Sequence, residues 1–347
     1  MFQLRPPALN PHAVSCVSFL LSYALVGTSC VYLPACVPAR TTPAAPATAD
    51  TATANWASPL ERAHPLVGRI WDVARARFVE EAVLGEAVRR AAFVAIGEQH
   101  DNVDHHRLEA RLLGTVAAVR RTAVVFEMID AGSQASVDGA AVSHPGDADA
   151  IGDAVDWSHS GWPAWSMYRP VFAVAASRGL SVIGGGVSRA VAHRIAFAGV
   201  AGVEPALVRR FALDAPLDQV TESALRDELR EAHCGMLPDS MLGAMALVQR
   251  TRDAKLAERL AAQDPEQGAV LVAGNGHVRN DRGVPRLFAR ATRSNLLAVA
   301  LLEVSREWTD PAEYATAFAV CTLPFDYVWF TPRASDVDHC SELRPKK

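Results

Sequence analysis

The 347 residues contain no Gly-x-Ser-x-Gly elbow, no His-Glu-x-x-His pair, no Walker phosphate loop and no Gly-x-Gly-x-x-Gly turn. Support for a serine hydrolase, a zincin, an NTPase and a dinucleotide enzyme falls away with them. Cys-x-x-Cys is absent, which removes a zinc knuckle and a thioredoxin-like centre. Cys-x-x-Cys-His is absent too, which removes covalently attached c-type haem. Excess charge is also lacking: a net charge of -4 makes no electrostatic case for a nucleic-acid partner or an anionic membrane surface. Beyond the amino terminus no apolar run reaches the ~18 residues that a spanning helix needs.

What is present begins with a processing segment over residues 1–35. Arg5 is the one positive charge before a long apolar stretch over 13–32. Leu33-Pro34-Ala35-Cys36 follows, a large aliphatic residue and a small residue ahead of a cysteine. This resembles the lipobox of bacterial lipoproteins and implies cleavage before a lipidated Cys36. Gly27-Thr28-Ser29-Cys30 is a second candidate, with Gly27 where the aliphatic residue belongs. Residues 36–60 begin with a stretch rich in Pro, Ala and Thr that cannot bury a core, and they read as a flexible tether. The expected location is therefore the cell envelope: an outer-membrane lipoprotein facing periplasm or surface, held by its lipid anchor. Cys234, Cys321 and Cys340 remain in the folded part. In an oxidising compartment Cys321 and Cys340, which bracket the terminal segment, are expected to pair, leaving Cys234 as the odd one.

From about residue 78, short apolar runs alternate with helical spacing. Strands are predicted over 92–96, 122–126, 180–183, 269–273 and 296–302. Helices are predicted over 104–119, 165–177, 221–232 and 240–263, with Pro170 as an alternative start for the second. Alternation of this kind predicts an α/β fold, a mostly parallel sheet with helices on both faces. The stretch over 188–263 has no strand signal and predicts a small helical subdomain within one domain over 65–340. No internal repeat is present.

Two predicted strands end alike, one in Gly97-Glu98-Gln99-His100 and the other in Gly274-Asn275-Gly276-His277. In a parallel sheet both tips lie at the carboxyl edge, where open α/β sheets bind ligands. Glycine there permits a turn that a Cβ would block. A third tip, Phe126-Glu127-Met128, adds a carboxylate. Glu98, His100, Glu127 and His277 thus form a candidate catalytic set for acid–base work or for a divalent metal. Alternatively, Glu98 bonds the backbone amides that open the next helix. Of His105 and His106, adjacent on that helix, at most one can face the crevice.

Gly97-Glu98-Gln99-His100-Asp101-Asn102-Val103-Asp104-His105-His106 resembles the opening signature of the ChaN-like family. Ser160-Gly161-Trp162-Pro163-Ala164-Trp165 with Tyr168-Arg169-Pro170, then His233-Cys234-Gly235-Met236-Leu237-Pro238, then Ala273-Gly274-Asn275-Gly276-His277-Val278-Arg279 agree in order. So does Asp326-Tyr327-Val328-Trp329-Phe330-Thr331-Pro332, and the resemblance covers about residues 65–340. It implies an iron-regulated outer-membrane lipoprotein that binds haem non-covalently, with two haems stacked between the monomers of a homodimer and a role in haem or iron uptake. It also implies kinship with the erythromycin esterases and Tiki proteases, whose Gly-x-x-His pairs serve catalysis, so a metal- or His/Glu-dependent hydrolase is the alternative.

The resemblance points to tyrosine as the iron ligand. Haem iron accepts Tyr, His, Cys or Met. Of five tyrosines, Tyr23 and Tyr32 fall in the leader, which leaves Tyr168, Tyr314 and Tyr327. Tyr168 is the expected ligand, beside an apolar wall of Trp162, Trp165 and Met167; the alternative is a core residue with a satisfied hydroxyl. His100, His277 and Met236 complete the candidate cofactor-binding set, with Met236, Met241 and Met245 read either as a porphyrin-facing stripe or as core.

Overall fold

A computed structural model of the chain describes residues 55–338 and 340. The leader, Cys36 and most of the tether lie outside the described residues. The sheet has eight strands: β1 (Ile70–Asp72), β2 (Arg77–Val79), β3 (Phe93–Glu98), β4 (Ala123–Asp130), β5 (Val182–Gly186), β6 (Ala269–Gly274), β7 (Leu297–Glu303) and β8 (Tyr327–Thr331). Their order across the sheet is β2-β1-β8-β7-β3-β6-β4-β5. From β8 to β5 every pairing is parallel, whereas β1 runs antiparallel to both β8 and β2.

Helices cover both faces, so the central strands are apolar throughout rather than alternating. Phe93 and Ala95 of β3 join a core with Val125, Leu271 and Ala273. Val94 and Ile96 join the opposite core with Val124, Val270 and Val272. The second core is closed by α1 (Glu81–Arg90), α2 (Val103–Ala117), α3 (Gln134–Ser143), α4 (Ala148–Ala154), the single turn α5 (Trp157–Ser160) and α6 (Trp165–Ser177). Here Phe126 stacks on Phe172 with ring centroids 4.2 Å apart. Four helices follow β5 without an intervening strand: α7 (Arg189–Ala198), α8 (Pro205–Phe211), α9 (Gln219–Ala232) and α10 (Asp239–Ala261). Of these, α7, α8 and α10, with α11 (Val284–Thr292), close the first core; α9 packs on α10 through Leu225, Leu229, Leu242 and Ala246. Among the described residues no single helix is long and apolar enough to cross a membrane.

Helix α6 spans Trp165–Ser177 as expected, with Pro170 inside it and not at its start, and two local expectations change. The amide that proline lacks weakens the ladder, but the buried side chains of Tyr168, Val171, Phe172 and Ala175 hold the helix in place. Cys340 is bonded to Cys234, not to Cys321; Cys321 is exposed. Cys234 occupies a left-handed turn residue after α9, with φ 59°, and its Cα stands 5.3 Å from that of Cys340. The partner is thus set by tertiary proximity across 106 residues of sequence and not by bracketing of the terminal segment. Residues 56–60, placed in the expected tether, lie against the domain. The amides of Ala57 and Ser58 donate to the Asp104 carboxylate at 3.0 and 2.7 Å, and Leu60 bridges to Arg333.

Candidate functional site

Strands β3, β6 and β4 are neighbours at the centre of the sheet, and their carboxyl tips lie side by side. Glu98 is in register with Gly274, so the two Gly-x-x-His turns leave the sheet at one level. Neither Gly97 nor Gly274 has a positive φ. They are required for space: a Cβ on Gly97 would overlap Val278 and the Asn275 side chain, and one on Gly274 would press on the His100 ring. The glycines let the two turns approach each other, which differs from the conformational role expected of them.

Glu127 of β4, one residue beyond the last pairing with β6, stands between the two histidines. Its Oε2 accepts from the Gly274 amide at 2.9 Å, and its Oε1 lies 3.2 Å from His277 Nε2. His100 Nε2 is 3.9 Å from Glu127 Oε2. His277 is held from behind by Asp253 of α10, whose Oδ1 is 2.6 Å from Nδ1. His100 is held from behind by Glu98, whose Oε1 is 2.8 Å from Nδ1. Both imidazoles therefore turn Nε2 toward one carboxylate and keep Nδ1 on another, an arrangement that fixes ring orientation and favours the protonated ring.

Glu98 extends the network inward. Its Oε1 also accepts from the Tyr168 hydroxyl at 2.8 Å, and its Oε2 lies 2.8 Å from His106 Nδ1. That nitrogen is 3.1 Å from Glu109 Oε2, and His106 Nε2 donates to the His100 carbonyl at 3.1 Å. Helix capping is not the task of Glu98, because Asn102 accepts the Asp104 and His105 amides. Both His105 and His106 are buried, and they part company as neighbours on a helix must. His105 accepts the Gln99 amide at Nδ1 and donates from Nε2 to Thr331.

These contacts set the charges. For His277, burial disfavours the ion, but Glu127 and Asp253 outweigh it and lift the ring to about 10. His100 is raised against the same burial by Glu98 and Glu127, and His106 well raised by Glu98 and Glu109. Glu127 is lowered by His277 and His100 despite burial, and Glu98 is held well below its usual range by His106 and His100. Burial and the charge of Glu98 push Glu109 up to about 8. Burial drives His105 down to about 3, a neutral ring. The whole is a buried chain of alternating carboxylates and imidazoles, able to hold or relay a proton at its exposed end.

That end is narrow. Helices α9 and α10 cover it with Leu229, Ala232 and Gln249, and the crevice beside His100, Glu127 and His277 has a volume of about 40 Å3. It takes a few water molecules, not a porphyrin. Tyr168 has no exposed surface, and burial together with Glu98 raises its hydroxyl well above 10. The structure thus places Tyr168 in the core with its hydroxyl satisfied by Glu98. Tyr314 and Tyr327 are buried as well. Met236 is 49% exposed on the α9–α10 turn, whereas Met245 packs inward between those helices, so no methionine stripe forms. Among the described residues the group able to bracket a metal ion is Glu98, His106 and Glu109, with ligand atoms within 4.8 Å of one another. It shares only Glu98 with the expected set.

Sequence reasoning missed Asp253 and Glu109 as participants. Each had a signal: a carboxylate on the apolar stripe of its helix. Asp253 is in phase with Leu242, Ala246, Leu256 and Leu260 of α10, and Glu109 with His105, Leu112 and Val116 of α2.

The fold is thus a doubly covered, mostly parallel α/β sheet with two histidine-bearing turns around one buried carboxylate. Residues 84–288 match the family described as haem-binding uptake, Tiki superfamily, ChaN, and the chain belongs to it. Among solved structures it is similar to ChaN of Campylobacter jejuni, described with cofacial haem binding, at 18% identity and a TM-score of 0.56 over 75% of this chain and 95% of that one. The erythromycin esterase EreC in its open conformation aligns at 10% identity and a TM-score of 0.41, over 75% of this chain and 95% of that one. The type III effector HopBA1 aligns at 12% identity and a TM-score of 0.40, over 72% and 92%. None of the curated proteins searched matches.

Proposed function

We propose that the chain is an exported haem-binding protein, anchored through a lipid on Cys36, that receives haem on its outer surface for haem or iron uptake. The observation that carries this reading is membership of the haem-binding ChaN family over residues 84–288. The crevice at the strand tips is too small for the macrocycle, so haem is assigned to a half-buried aromatic depression beside it. Trp157, Trp162, Pro163 and Trp165 line an open depression of about 370 Å3 next to that crevice, and Trp162 packs on the His100 ring at 4.8 Å. His159 adjoins the depression in sequence, with its side chain 80% exposed. Asp156 binds its Nδ1 at 2.7 Å, leaving Nε2 for iron, the carboxylate-oriented geometry common in metal-bound histidines. A second copy of the chain facing the same depression gives the stacked pair of haems that the family resemblance implies.

Absorbance titration of the purified protein with haemin tests this reading. Saturable binding that is lost in His159→Ala and kept in Tyr168→Phe supports it; no saturable binding to the wild type overturns it. Retention of Cys36→Ser in the membrane fraction with unchanged mass overturns the anchor.

A second reading is favoured by His277, clamped between Asp253 and Glu127 in a closed polar crevice. Such an oriented imidazolium can donate a proton to the leaving group of a bound ester. Ester hydrolysis abolished in His277→Ala with haem binding intact would establish that reading.

A further inference from the structure

Behind the crevice lies a second cavity, of about 230 Å3, between α8, α9, α10 and α11. One side of it is apolar, made by Phe211, Leu217, Leu225 and Leu287. The other carries four arginines, Arg250, Arg282, Arg286 and Arg290. The three carboxylates on the wall are already engaged. Glu228 is paired with Arg282 and with the buried Arg279, Asp253 with His277, and Asp218 caps the start of α9 through Thr221. The arginines are less well answered. Arg250 donates to the Ala215 and Ala212 carbonyls and Arg286 to the Asp281 carbonyl, groups without net charge. Arg282 has a side chain only 9% exposed, and its Nη1 is buried with no acceptor. Four arginines against three engaged carboxylates leave the wall net positive, which suits an oxyanion.

We propose that this cavity binds a small amphipathic carboxylate, its head on Arg282 and its tail against Phe211, Leu217, Leu225 and Leu287. The volume sits below the range of drug-sized ligand pockets, which bounds the ligand to a short acyl or similar chain. An inorganic oxyanion would satisfy Arg282 but leave the apolar wall wet, so the apolar side selects a carboxylate with a tail. Arg286 and Arg290, one turn apart on α11, are exposed and supply the attractive field at the mouth. The cavity shares Glu228, Gln249 and Gly276 with the crevice at His277, so a ligand held there would abut the strand-tip site. This site is independent of the haem surface.

The test is calorimetric titration of the full purified chain with hexanoate and, separately, with inorganic phosphate. Hexanoate is expected to bind saturably, and at least tenfold more weakly in Arg282→Gln and in Leu217→Trp. The second variant fills the cavity from its half-buried rim and leaves the Arg282–Glu228 pair in place. Haemin binding is expected to be the same in both variants as in the wild type. No binding of hexanoate to the wild type, tighter binding of phosphate than of hexanoate, or wild-type affinity in Leu217→Trp would each overturn the proposal.

Discussion

Replacing Glu127 by Gln tests whether His100 and His277 belong to one electrostatic unit. The amide is nearly isosteric and its oxygen can still accept from the Gly274 amide, so the fold at the strand tip is retained. What disappears is the negative charge 3.2 Å from His277 Nε2 and 3.9 Å from His100 Nε2. Removing one partner of a buried ion pair costs about 3–5 kcal/mol. Because Asp253 still holds His277 at 2.6 Å, the lower end, ~3 kcal/mol, is expected. The pH dependence should change as well. His277 is raised from 6.5 to about 10, so its stabilising contribution is complete below pH 6.5 and fades as pH rises toward 10. Its ceiling is ~5 kcal/mol. Glu109, raised from 4.5 to about 8, loses stability as pH rises through that range, and His105, lowered from 6.5 to about 3, loses it as pH falls below 6.5, so the two offset each other between pH 4.5 and 6.5. Glu127 and Glu98, both lowered, stabilise above about pH 4.5 and lose that contribution in acid. Maximum stability is therefore expected between about pH 4.5 and 6.5, with a falling alkaline limb that flattens in Glu127→Gln. Urea unfolding from pH 4 to 10, with NMR titration of the His277 ring, reads both effects. A variant within ~1 kcal/mol of wild type, with His277 titrating unchanged, would refute the coupled arrangement.

Gly97→Ala should lower stability by about 1–3 kcal/mol or more, since its Cβ overlaps Val278 and Asn275; an unchanged urea midpoint would show that the two tips can part freely. Tyr168→Phe removes a buried hydroxyl from Glu98 and should cost ~1–3 kcal/mol while leaving haem spectra as they were; a lost spectrum would return Tyr168 to the iron. Non-reducing peptide mapping of protein recovered from an oxidising compartment should yield a Cys234–Cys340 peptide, and a Cys321–Cys340 peptide would contradict the observed pairing.

Much of the architecture was readable because parallel strands covered on both faces form nearly continuous apolar runs. The runs in β3, β4 and β6 stand out as blocks, and their parallel order brings the tips of all three to one edge. The short antiparallel strands β1 and β2, three residues each, carry no such block and escaped notice. At the site, Glu98, His100 and His277 were visible because each ends or follows a strand, and Glu127 because it interrupts the apolar run of β4. Asp253 and Glu109 were not, since a carboxylate in a helix is taken as solvent-facing unless its phase is compared with the apolar stripe. Tyr168 shows a different limit. Its place among tryptophans suggested an apolar haem wall, but the hydroxyl points inward to Glu98, and only packing reveals which way an aromatic side chain faces. The disulfide failed similarly, because sequence bracketing says nothing about which loop the carboxy terminus reaches.

The central claim, that haem sits on the tryptophan-lined surface and not in the strand-tip crevice, is tested most directly by a crystal structure of the haemin-loaded protein. The account predicts porphyrin over Trp157, Trp162 and Trp165 with iron on His159, and an undisturbed Glu98–Tyr168 hydrogen bond. Porphyrin bonded through Tyr168, or inserted between His100 and His277, would contradict it.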